Sequence, residues 1–549
     1  MHGVTGESGG GGTAGWARGV AECLLIAAIF TAAGAWPVPD VNEAVYLTKA
    51  RHAADPTWGR GDFFLETPDA HGVFYLFAGP LAAVLSLEQA AWIGRVAGWA
   101  LLAIGFRHAA VLLLAAPWAR VVAACAFSLA LRNTTAAGEW VIGGCEAKVF
   151  AWAAVLGALG EVAAGRFAAA FCLAGIGTAF HPIVGGWALI AVLVTWMAVT
   201  WMASRMREGS AGEVGSRRSR GVASWPAAAL VAVGLLAAAA GVVPALGLTA
   251  GVDEATRVAA TKIYVVDRLS HHLLPRTFSD GMIARHLLAV AAWWLLSMLV
   301  PASVARRRIM VFTLTALAIS AAGIGISLLE PWAPATAYSL LRFYWFRLAD
   351  VAVPFALATT LAAVLEDREA SARLAAGRPA WLRAAVVGLL ALDLAVQSRH
   401  WPLAGRDAVA PRADVKLVPA AWADICTWVR DHAPADACFL TPRGAASFTW
   451  RTGRREVVSW KNSPQDAASL VEWRKRILDC FSRSGSLAEM ERSTVSLGPD
   501  RVREVITRYG ADHAIVPLDA PLLESVPGER LHVNAAYAVY RLVGDRPEK

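Results

Sequence analysis

The sequence predicts an all-α polytopic membrane protein of about 11 transmembrane helices, followed by a small C-terminal α/β extramembrane domain. Its 549 residues are 56% hydrophobic and 17% charged, with a mean hydropathy of +0.47. A soluble core could not bury so much apolar surface. The apolar residues form runs of about 17 to 25, the length of helix that crosses a bilayer, and polar loops separate these runs.

The distribution of charge divides the chain into three parts. Residues 1–15 are Gly-rich, lack a basic segment and an obvious cleavage site, and are expected to form a disordered leader. Residues 16–400 contain the apolar runs and form the membrane domain. Residues 411–549 are rich in charges and alternate between helix-like and strand-like segments, which predicts a soluble domain. Its predicted helices are 420–432 and 466–480, and its predicted strands are 437–440, 456–460, 513–516 and 536–542.

Twelve apolar runs precede the soluble domain. They lie at about 18–37, 71–87, 90–106, 109–131, 148–164, 167–183, 184–203, 223–248, 286–303, 309–329, 345–365 and 380–398. Short loops rich in lysine and arginine face the cytoplasm. Three loops meet this criterion, with Arg205, Arg207, Arg217, Arg218 and Arg220, then Arg306, Arg307 and Arg308, then Arg368, Arg373, Arg378 and Arg383. The tail domain is therefore expected outside.

One of the twelve runs must not cross the membrane if the N-terminus is also cytoplasmic. The best candidate is 71–87, which is short, contains Pro80 in its middle and directly follows a polar loop. Such a segment is typical of an interfacial or re-entrant helix. Eleven crossings remain.

Several function classes lose support from the sequence. The excess of 51 Lys+Arg over 43 Asp+Glu lies largely in short loops, so topology and lipid headgroups explain it better than nucleic acid. Motifs for ATP-driven transport, zinc proteolysis and serine hydrolysis are missing. The seven cysteines lack the spacing of a zinc or iron–sulfur site, and no metal ligands are assigned. Of Cys426, Cys438 and Cys480, two could pair in an oxidising compartment.

The first outside loop, residues 38–70, contains an unusual density of acids. Asp40 and Glu43 follow the first span, and their i, i+3 spacing would place both on one face of a helix. Two neighbouring carboxylates can raise each other's pKa, hold a divalent cation or act as a general base. The alternative is an ordinary solvated loop whose acids keep it out of the membrane.

Three further residues stand at the outer ends of spans. Glu146 and Lys148 adjoin an apolar run, and they either shape a polar cavity or simply neutralise each other. His181, before Pro182, lies between two apolar runs and is either a packing residue or part of a site.

Basic residues gather in two later outside segments. Arginine can donate two parallel hydrogen bonds to phosphate oxygens and lysine supplies a point charge, so these segments suit the binding of a phosphate group. Attraction to anionic lipid headgroups is the alternative, and Arg347 could instead pair locally with Asp350. The candidate phosphate-binding residues are Lys262, Arg268, His271, His272, Arg342 and Arg347.

The layout of an acidic first outside loop, about eleven crossings and an outside C-terminal domain resembles the GT-C class of membrane glycosyltransferases. In its amino-acid sequence, the chain is similar to an uncharacterised bacterial membrane family, the domain of unknown function 6798. The segments that carry this resemblance are NEAVYLTKARHAADPTWGRGDFFLETPDAHGVFY, GEWVIGGCEAK, AFHPIVGGW and FLTPRGAASFTWRTGRREVVSWKNSPQDA.

The resemblance implies an activity and a location. In GT-C enzymes an acid of the first outside loop activates the acceptor, and basic residues hold a polyprenyl-phosphate-linked sugar donor. Asp40 and Glu43 occupy the matching place, although their D-x-x-E spacing differs from the adjacent or D-x-D acids of that class. The resemblance places the protein in a bacterial inner membrane, with membrane lipid and the sugar donor as partners. A divalent cation is the one candidate cofactor.

Two other functions stay open at this point. A transporter or flippase of lipid-linked intermediates would carry charges inside several spans and an internal repeat. A non-catalytic scaffold on the same fold would act through its tail domain.

Overall fold

The structure, a computed structural model, describes residues 10–210, 225–375, 377–403 and 409–543. Helices dominate the first 400 residues, and a small sheet appears only in the tail. The predicted fold class is therefore confirmed. Residues 1–9 of the expected leader and the arginines 217, 218 and 220 lie outside the described residues, whereas residues 10–15 already belong to the first helix.

The α-helices of the described membrane domain are α1 (Gly10–Gly34), α2 (Glu43–Ala54), α3 (Gly72–Val84), α4 (Leu87–Ala110), α5 (Pro117–Asn133), α6 (Ala147–Ala164), α7 (Phe167–Phe180), α8 (Pro182–Ser210), α9 (Trp225–Gly247), α10 (Glu254–Lys262), α11 (Ser270–Leu273), α12 (Asp280–Ser297), α13 (Val304–Ser327), α14 (Pro334–Leu341), α15 (Ala349–Glu366), α16 (Arg368–Leu374) and α17 (Pro379–Gln397). A π-helical turn, Ile263–Arg268, joins α10 to α11.

Eight of these helices are long and apolar enough to cross a membrane, namely α1, α4, α6, α8, α9, α13, α15 and α17. Helices α5, α7 and α12 occupy the other three predicted crossings and pack against these eight, but they are not among the helices long and apolar enough to cross; α7, with 14 residues, is only about 21 Å long. Helix α3 has only 13 residues. It is therefore about 20 Å long, too short for a hydrocarbon core of about 30 Å, and it packs against α2 instead.

The helix bundle has two distinct ends. Arg306 Nη2 donates to the Leu113 carbonyl at 3.1 Å, and Arg308 Nη1 donates to the Ala163 carbonyl at 2.9 Å. These contacts place the end of α4, the end of α6 and the start of α13 together. The loop between α15 and α17, also rich in arginine, shares this end because Glu366, the last residue of α15, accepts the backbone N–H groups of Ala115 and Ala116, which follow α4. The tail domain lies at the opposite end.

Charged side chains within the bundle are paired. Glu22 of α1 lies 2.8 Å from Arg107 Nε and 3.0 Å from Arg120 Nη1. Arg95 of α4 pairs with Glu43 at the start of α2. Pairing removes much of the cost of placing an ionised group near hydrocarbon. These groups therefore tie helices together.

Small residues allow α7 and α9 to approach closely. A Cβ atom added at Gly175 would overlap the carbonyl oxygen of Gly234, and one added at Gly241 would overlap the carbonyl oxygen of Thr178. Between helices in lipid, where apolar side chains gain little by leaving the tails, such close backbone packing is a main source of association.

The tail contains α18 (Pro419–His432), α19 (Phe448–Thr452), α20 (Ala467–Phe481) and α21 (Pro499–Tyr509), with strands β1 (Cys438–Leu440), β2 (Arg455–Glu456), β3 (His513–Pro517), β4 (Gly528–Val533) and β5 (Tyr537–Leu542). The strand order is β2-β1-β3-β5-β4, parallel among β2, β1 and β3 and antiparallel from β3 to β4. Both predicted helices and three of the four predicted strands form. Of the predicted strand 456–460 only Glu456 lies in a strand, and α19, α21 and β4 were not predicted.

The sheet of the tail is covered on both faces. Ala514 and Val516 pack with Trp473 of α20 on one face, and Ile515 packs with Trp422 of α18 on the other. This alternation is the two-residue period of a buried strand. Cys426, Cys438 and Cys480 are buried in this domain as free thiols, as are the other cysteines of the chain except the half-buried Cys23.

The tail domain is docked onto the membrane domain through its loops. The backbone N–H of Glu456 donates to Asp62 Oδ2 of the first loop at 3.0 Å. Arg474 of α20 pairs with Asp267 of the π-helical turn at 2.8 Å. These contacts close the space between the helix ends and the tail, where the cavities described next are found.

Candidate functional site

A cavity of about 290 Å³ lies where the bundle meets the tail, and we call it the junction cavity. Its walls come from the first loop, the turn before α6, the α7–α8 joint, the π-helical turn, the segment before α15, and residues 461–465 of the tail. Seven predicted site residues line it: Glu146, Lys148, His181, Arg268, His272, Arg342 and Arg347. The structure thus brings these seven side chains to one cavity, whereas the predicted acids Asp40 and Glu43 are not among its lining residues.

Local structure explains how these side chains reach the cavity. Glu146 is the residue before α6 and Lys148 belongs to its first turn, so both point from one helix end. Pro182 begins α8 directly after α7, which leaves His181 at the joint. Proline is favoured at the first position of a helix because it has no N–H to leave unpaired.

Two acids of the cavity wall neutralise two of its cations. Arg347 Nε lies 2.8 Å from Glu139 Oε2, and Lys148 Nζ lies 3.8 Å from both Glu139 and Glu146. Glu146 also accepts from Asn42 Nδ2 at 2.8 Å. Arg347 pairs with Glu139 and not with Asp350, which instead accepts backbone N–H groups of residues 136, 137 and 139. Glu146 and Lys148 pair with each other and also line the cavity, so the two alternatives considered for them are not exclusive.

Three cations of the cavity have no acid beside them. Among the described residues, the side chains of Arg342 and Lys461 have no hydrogen-bond or ion-pair partner. Arg268 donates to the Lys461 carbonyl at 3.3 Å, and its Nε is buried without a partner. Burial, followed by the charge of Arg268, lowers the pKa of the Lys461 ammonium to about 7. Unpaired, partly dehydrated cations favour an anionic ligand.

Histidines add a second kind of group to the wall. Burial, followed by the charge of His271, lowers the pKa of His272 to about 3, so its imidazole is neutral at physiological pH. His272 Nδ1 and the Ala137 carbonyl form a hydrogen bond, which fixes Nδ1 as the donor. A neutral, anchored His272 contributes shape and hydrogen bonding rather than charge.

A hydrogen-bonded chain of Asp69, His71 and Tyr46 also lines the junction cavity. Asp69 Oδ1 lies 2.6 Å from His71 Nδ1, and His71 Nε2 lies 3.4 Å from the Tyr46 hydroxyl. Burial raises the pKa of Asp69, but His71 and Lys49 outweigh it and hold this pKa well below the usual range. None of the three was predicted as a site residue; the D-x-H spacing of Asp69 and His71, directly before an apolar run, was the available signal.

Glu43 lies outside the cavity and is saturated with protein donors. Its carboxylate receives both arms of Arg95 at 2.6 Å, and both side chains are fully buried. It also accepts the backbone N–H of Cys145 at 2.6 Å and that of Asp40 at 2.7 Å. The expectation that Asp40 and Glu43 share one helical face is corrected: Glu43 begins α2, whereas Asp40 precedes the helix and is held by Glu43 through its backbone.

Asp40 itself lines neither cavity, but the two residues that follow it each line one. Its neighbour Asn42 lines the junction cavity, and Val41 lines a second cavity of about 770 Å³, which we call the basic cavity. Arg412 Nη1 lies 3.4 Å from the Asp40 carboxylate. The side chain of Asp40 is nearly buried, at 3% exposure of the residue.

The remaining predicted residues are divided between the two cavities and the surface. His271 lines the basic cavity, and Arg268 lines both cavities. Lys262 is exposed at the end of α10 and lines neither cavity. Within the described ranges, no group of three or more His, Cys, Asp or Glu side chains has the arrangement to hold a metal ion.

Fold and site together define a multi-pass helical membrane protein whose C-terminal α/β domain closes a cavity of ionisable side chains. The model of the family "Domain of unknown function (DUF6798)" matches residues 420–480, which confirms the predicted family resemblance over this part of the tail. No curated protein matches the chain in sequence.

A crystal structure of ArnT from Cupriavidus metallidurans, bound to undecaprenyl phosphate, matches over 98% of this chain and 100% of that chain. The sequence identity is 13% and the TM-score is 0.33. A likeness of this quality carries no argument about the activity of the present chain, whose function has to be argued from its own residues.

Proposed function

We propose that the protein is a GT-C-like glycosyltransferase that moves a sugar from a polyprenyl-phosphate donor to an acceptor on the outer side of the membrane. The observation that carries this proposal is the unpaired Arg342 in the junction cavity, with Arg268 and Lys461 on the same wall. Fixed cations without acids suit a phosphate, which gains charge as it becomes a leaving group.

The same cavity offers an apolar side for a lipid chain. Ile183 of α8, Ala245 of α9 and Phe343 line it next to Arg342. Phe343 is 44% exposed, and α9 presents apolar side chains such as Leu246 outward. A phosphate bound at Arg342 would therefore leave its polyprenyl chain against membrane helices, where apolar contacts stabilise it.

The paired residues have a different part in this proposal. Glu139 and Glu146 neutralise Arg347 and Lys148, so these four side chains shape the sugar pocket and offer it hydrogen bonds. His181 stands at the same wall, close to the ring of His71 at a centroid distance of 5.3 Å. Lys262 does not line the junction cavity, so we assign it no part in binding the donor phosphate.

Asp40 is the proposed general base. Its carboxylate takes the proton of the acceptor hydroxyl as the hydroxyl oxygen bonds to the anomeric carbon of the sugar. The bond from that carbon to the phosphate oxygen breaks, and its electron pair stays on the phosphate beside Arg342 and Arg268. Glu43 and Arg95 act as positioning residues, because Glu43 Oε2 fixes the backbone N–H of Asp40.

The test uses the purified full chain in nanodiscs with polyprenyl phosphates that carry radiolabelled sugars. Binding and transfer are measured for the wild type, for Arg342→Ala and for Asp40→Asn. We expect Arg342→Ala to weaken donor binding about 10- to 100-fold, the effect of losing one charged hydrogen bond of about 1.5–3 kcal/mol. Asp40→Asn should bind donor normally and lose transfer.

A matched control is Arg368→Ala, which removes one exposed arginine from the opposite end of the bundle. Its donor binding should equal that of the wild type. If no polyprenyl-phosphate sugar binds the wild type, or if Asp40→Asn transfers sugar at the normal rate, the proposal fails.

A further inference from the structure

The basic cavity carries a strong excess of positive charge. It is about 770 Å³ in volume, and the tail domain forms most of its wall. Its cations are Arg268, Arg412, Lys416, Arg443, Lys461 and Arg492. Within the described residues, Asp519 is the one carboxylate side chain on its lining, and it already pairs with Arg492 at 2.9 Å.

Most of this charge is not neutralised by the protein. Lys416 and Lys461 have no ion-pair or hydrogen-bond partner for their side chains among the described residues. Arg443 donates only to the carbonyl oxygen of Glu491, at 3.1 Å. Arg443 and Arg268 are partly buried with no carboxylate paired to either guanidinium among the described residues, and this burial lowers the pKa of both groups. Dehydrated cations in this state bind anions strongly.

The size and the lining of the cavity argue against a single small anion. A volume of this magnitude suits a ligand of the size of an oligosaccharide or a drug. The half-buried Trp460 lines it as well, and an aromatic ring offers a flat apolar face to a sugar ring, whereas Tyr537 on the same wall is buried in the core of the tail. Cations and aromatic side chains together favour a ligand with both sugar rings and anionic groups.

We infer that the basic cavity binds a phosphate-bearing saccharide, and that this saccharide is the acceptor of the transfer. The second half of this inference rests on the proposed function; the binding site itself does not. Arg268 and Lys461 line both cavities, and Asp40 directly precedes Val41, which lines the basic cavity. A saccharide bound by its phosphate in the basic cavity would thus have a hydroxyl within reach of the proposed base.

Binding is tested with the full chain in nanodiscs of zwitterionic lipid by titration calorimetry, without any donor. One arm uses soluble maltose 1-phosphate, and the other uses the same phosphodisaccharide attached to a dodecyl chain and embedded in the nanodisc. Neutral maltose serves as the reference ligand. The expected result is binding of either phosphorylated probe at least tenfold tighter than maltose; the arm that binds identifies a soluble or a lipid-anchored source.

The variant Lys416→Ala/Arg443→Ala removes two cations that line only the basic cavity, and binding should weaken at least tenfold. Lys416→Glu, at an exposed position, gives the same test with little risk to folding. The control Arg503→Ala/Arg530→Ala removes two exposed charges of the tail that line neither cavity, and binding should not change.

Failure of the inference and failure of the proposed function give different results. If neither phosphorylated probe binds the wild type, or if the Lys416 and Arg443 variants bind as well as it does, the anion site is refuted. Donor binding should survive in these variants, because neither residue lines the junction cavity. Probe binding without transfer from any donor would support the site and overturn only its role as an acceptor site.

Discussion

Replacement of Glu43 by Gln should destabilise the protein by about 3–5 kcal/mol, the usual cost of leaving one member of a buried ion pair without its partner. Both Glu43 and Arg95 are fully buried, and two parallel contacts of 2.6 Å join them. An amide in place of the carboxylate leaves the guanidinium charge uncompensated. The backbone N–H groups of Asp40 and Cys145 each donate to one carboxylate oxygen of Glu43. A glutamine would replace one of these oxygens by an NH₂ group, which cannot accept a hydrogen bond, so at least one of the two N–H groups would lose its acceptor.

The free energy of unfolding is measured in mixed micelles by titration with SDS, with tryptophan fluorescence as the signal. The double variant Glu43→Gln/Arg95→Met removes the stranded charge, so we expect it to recover at least about 2 kcal/mol of the loss. Glu529→Gln is the matched control, because Glu529 and Arg541 form an exposed pair, and it should change stability by no more than about 0.5 kcal/mol.

Two results would refute this reasoning. One is a Glu43→Gln variant as stable as the Glu529→Gln control, which would mean that the pair is not buried in the protein. The other is a double variant less stable than either single variant, which would mean that the charge of Arg95 was not the source of the loss.

Three further outcomes are expected. Binding of maltose 1-sulfate, whose charge is constant with pH, should weaken as pH rises through about 7, where Lys461 loses its proton, and Lys461→Arg should flatten this dependence in calorimetry. Burial raises the pKa of Glu456 to about 7 from an ordinary value near 4.5, so the folded state binds this proton more tightly than the unfolded state does. The free energy of unfolding should therefore fall by up to about 3 kcal/mol as pH rises from 4.5 to 7. Glu456→Gln should remove most of this fall in unfolding titrations. Gly175→Ala should lower the amount of folded protein in membranes because its Cβ would overlap Gly234, whereas Gly186→Ala, which meets nothing within 4 Å, should not; equal amounts would contradict the close packing of α7 and α9.

The helices of the membrane domain could be predicted because their signal is local. An apolar run long enough to cross a bilayer is visible in consecutive residues of the sequence. The short run that contains Pro80 forms the short helix α3. The strands of the tail were recognised for a similar reason, since β3 and β5 are buried along their length. Strand β4 was missed because it lies exposed at the sheet edge, without the apolar alternation that marks a half-buried strand.

The candidate site was predictable only in part. The topology placed two basic segments on the same side of the membrane, so Arg268, Arg342 and Arg347 could be expected to meet at one end of the bundle. The role of Glu43 could not be read in the same way. Its partner Arg95 lies 52 positions away in another helix, and nothing in either local pattern says that the two will pair.

The hydrogen bond between Asp62 and the backbone of Glu456 joins positions 394 residues apart. During synthesis, the first loop must wait for nearly the whole chain to emerge before the last wall of the junction cavity can be set in place. Long-range contacts of this kind form slowly, because closing the long loop between the two residues costs entropy before the contact can stabilise it. A chain interrupted before the tail would therefore insert its helices but leave the junction cavity open, and Arg268 and Arg342 would not meet Lys461 until the tail is in place.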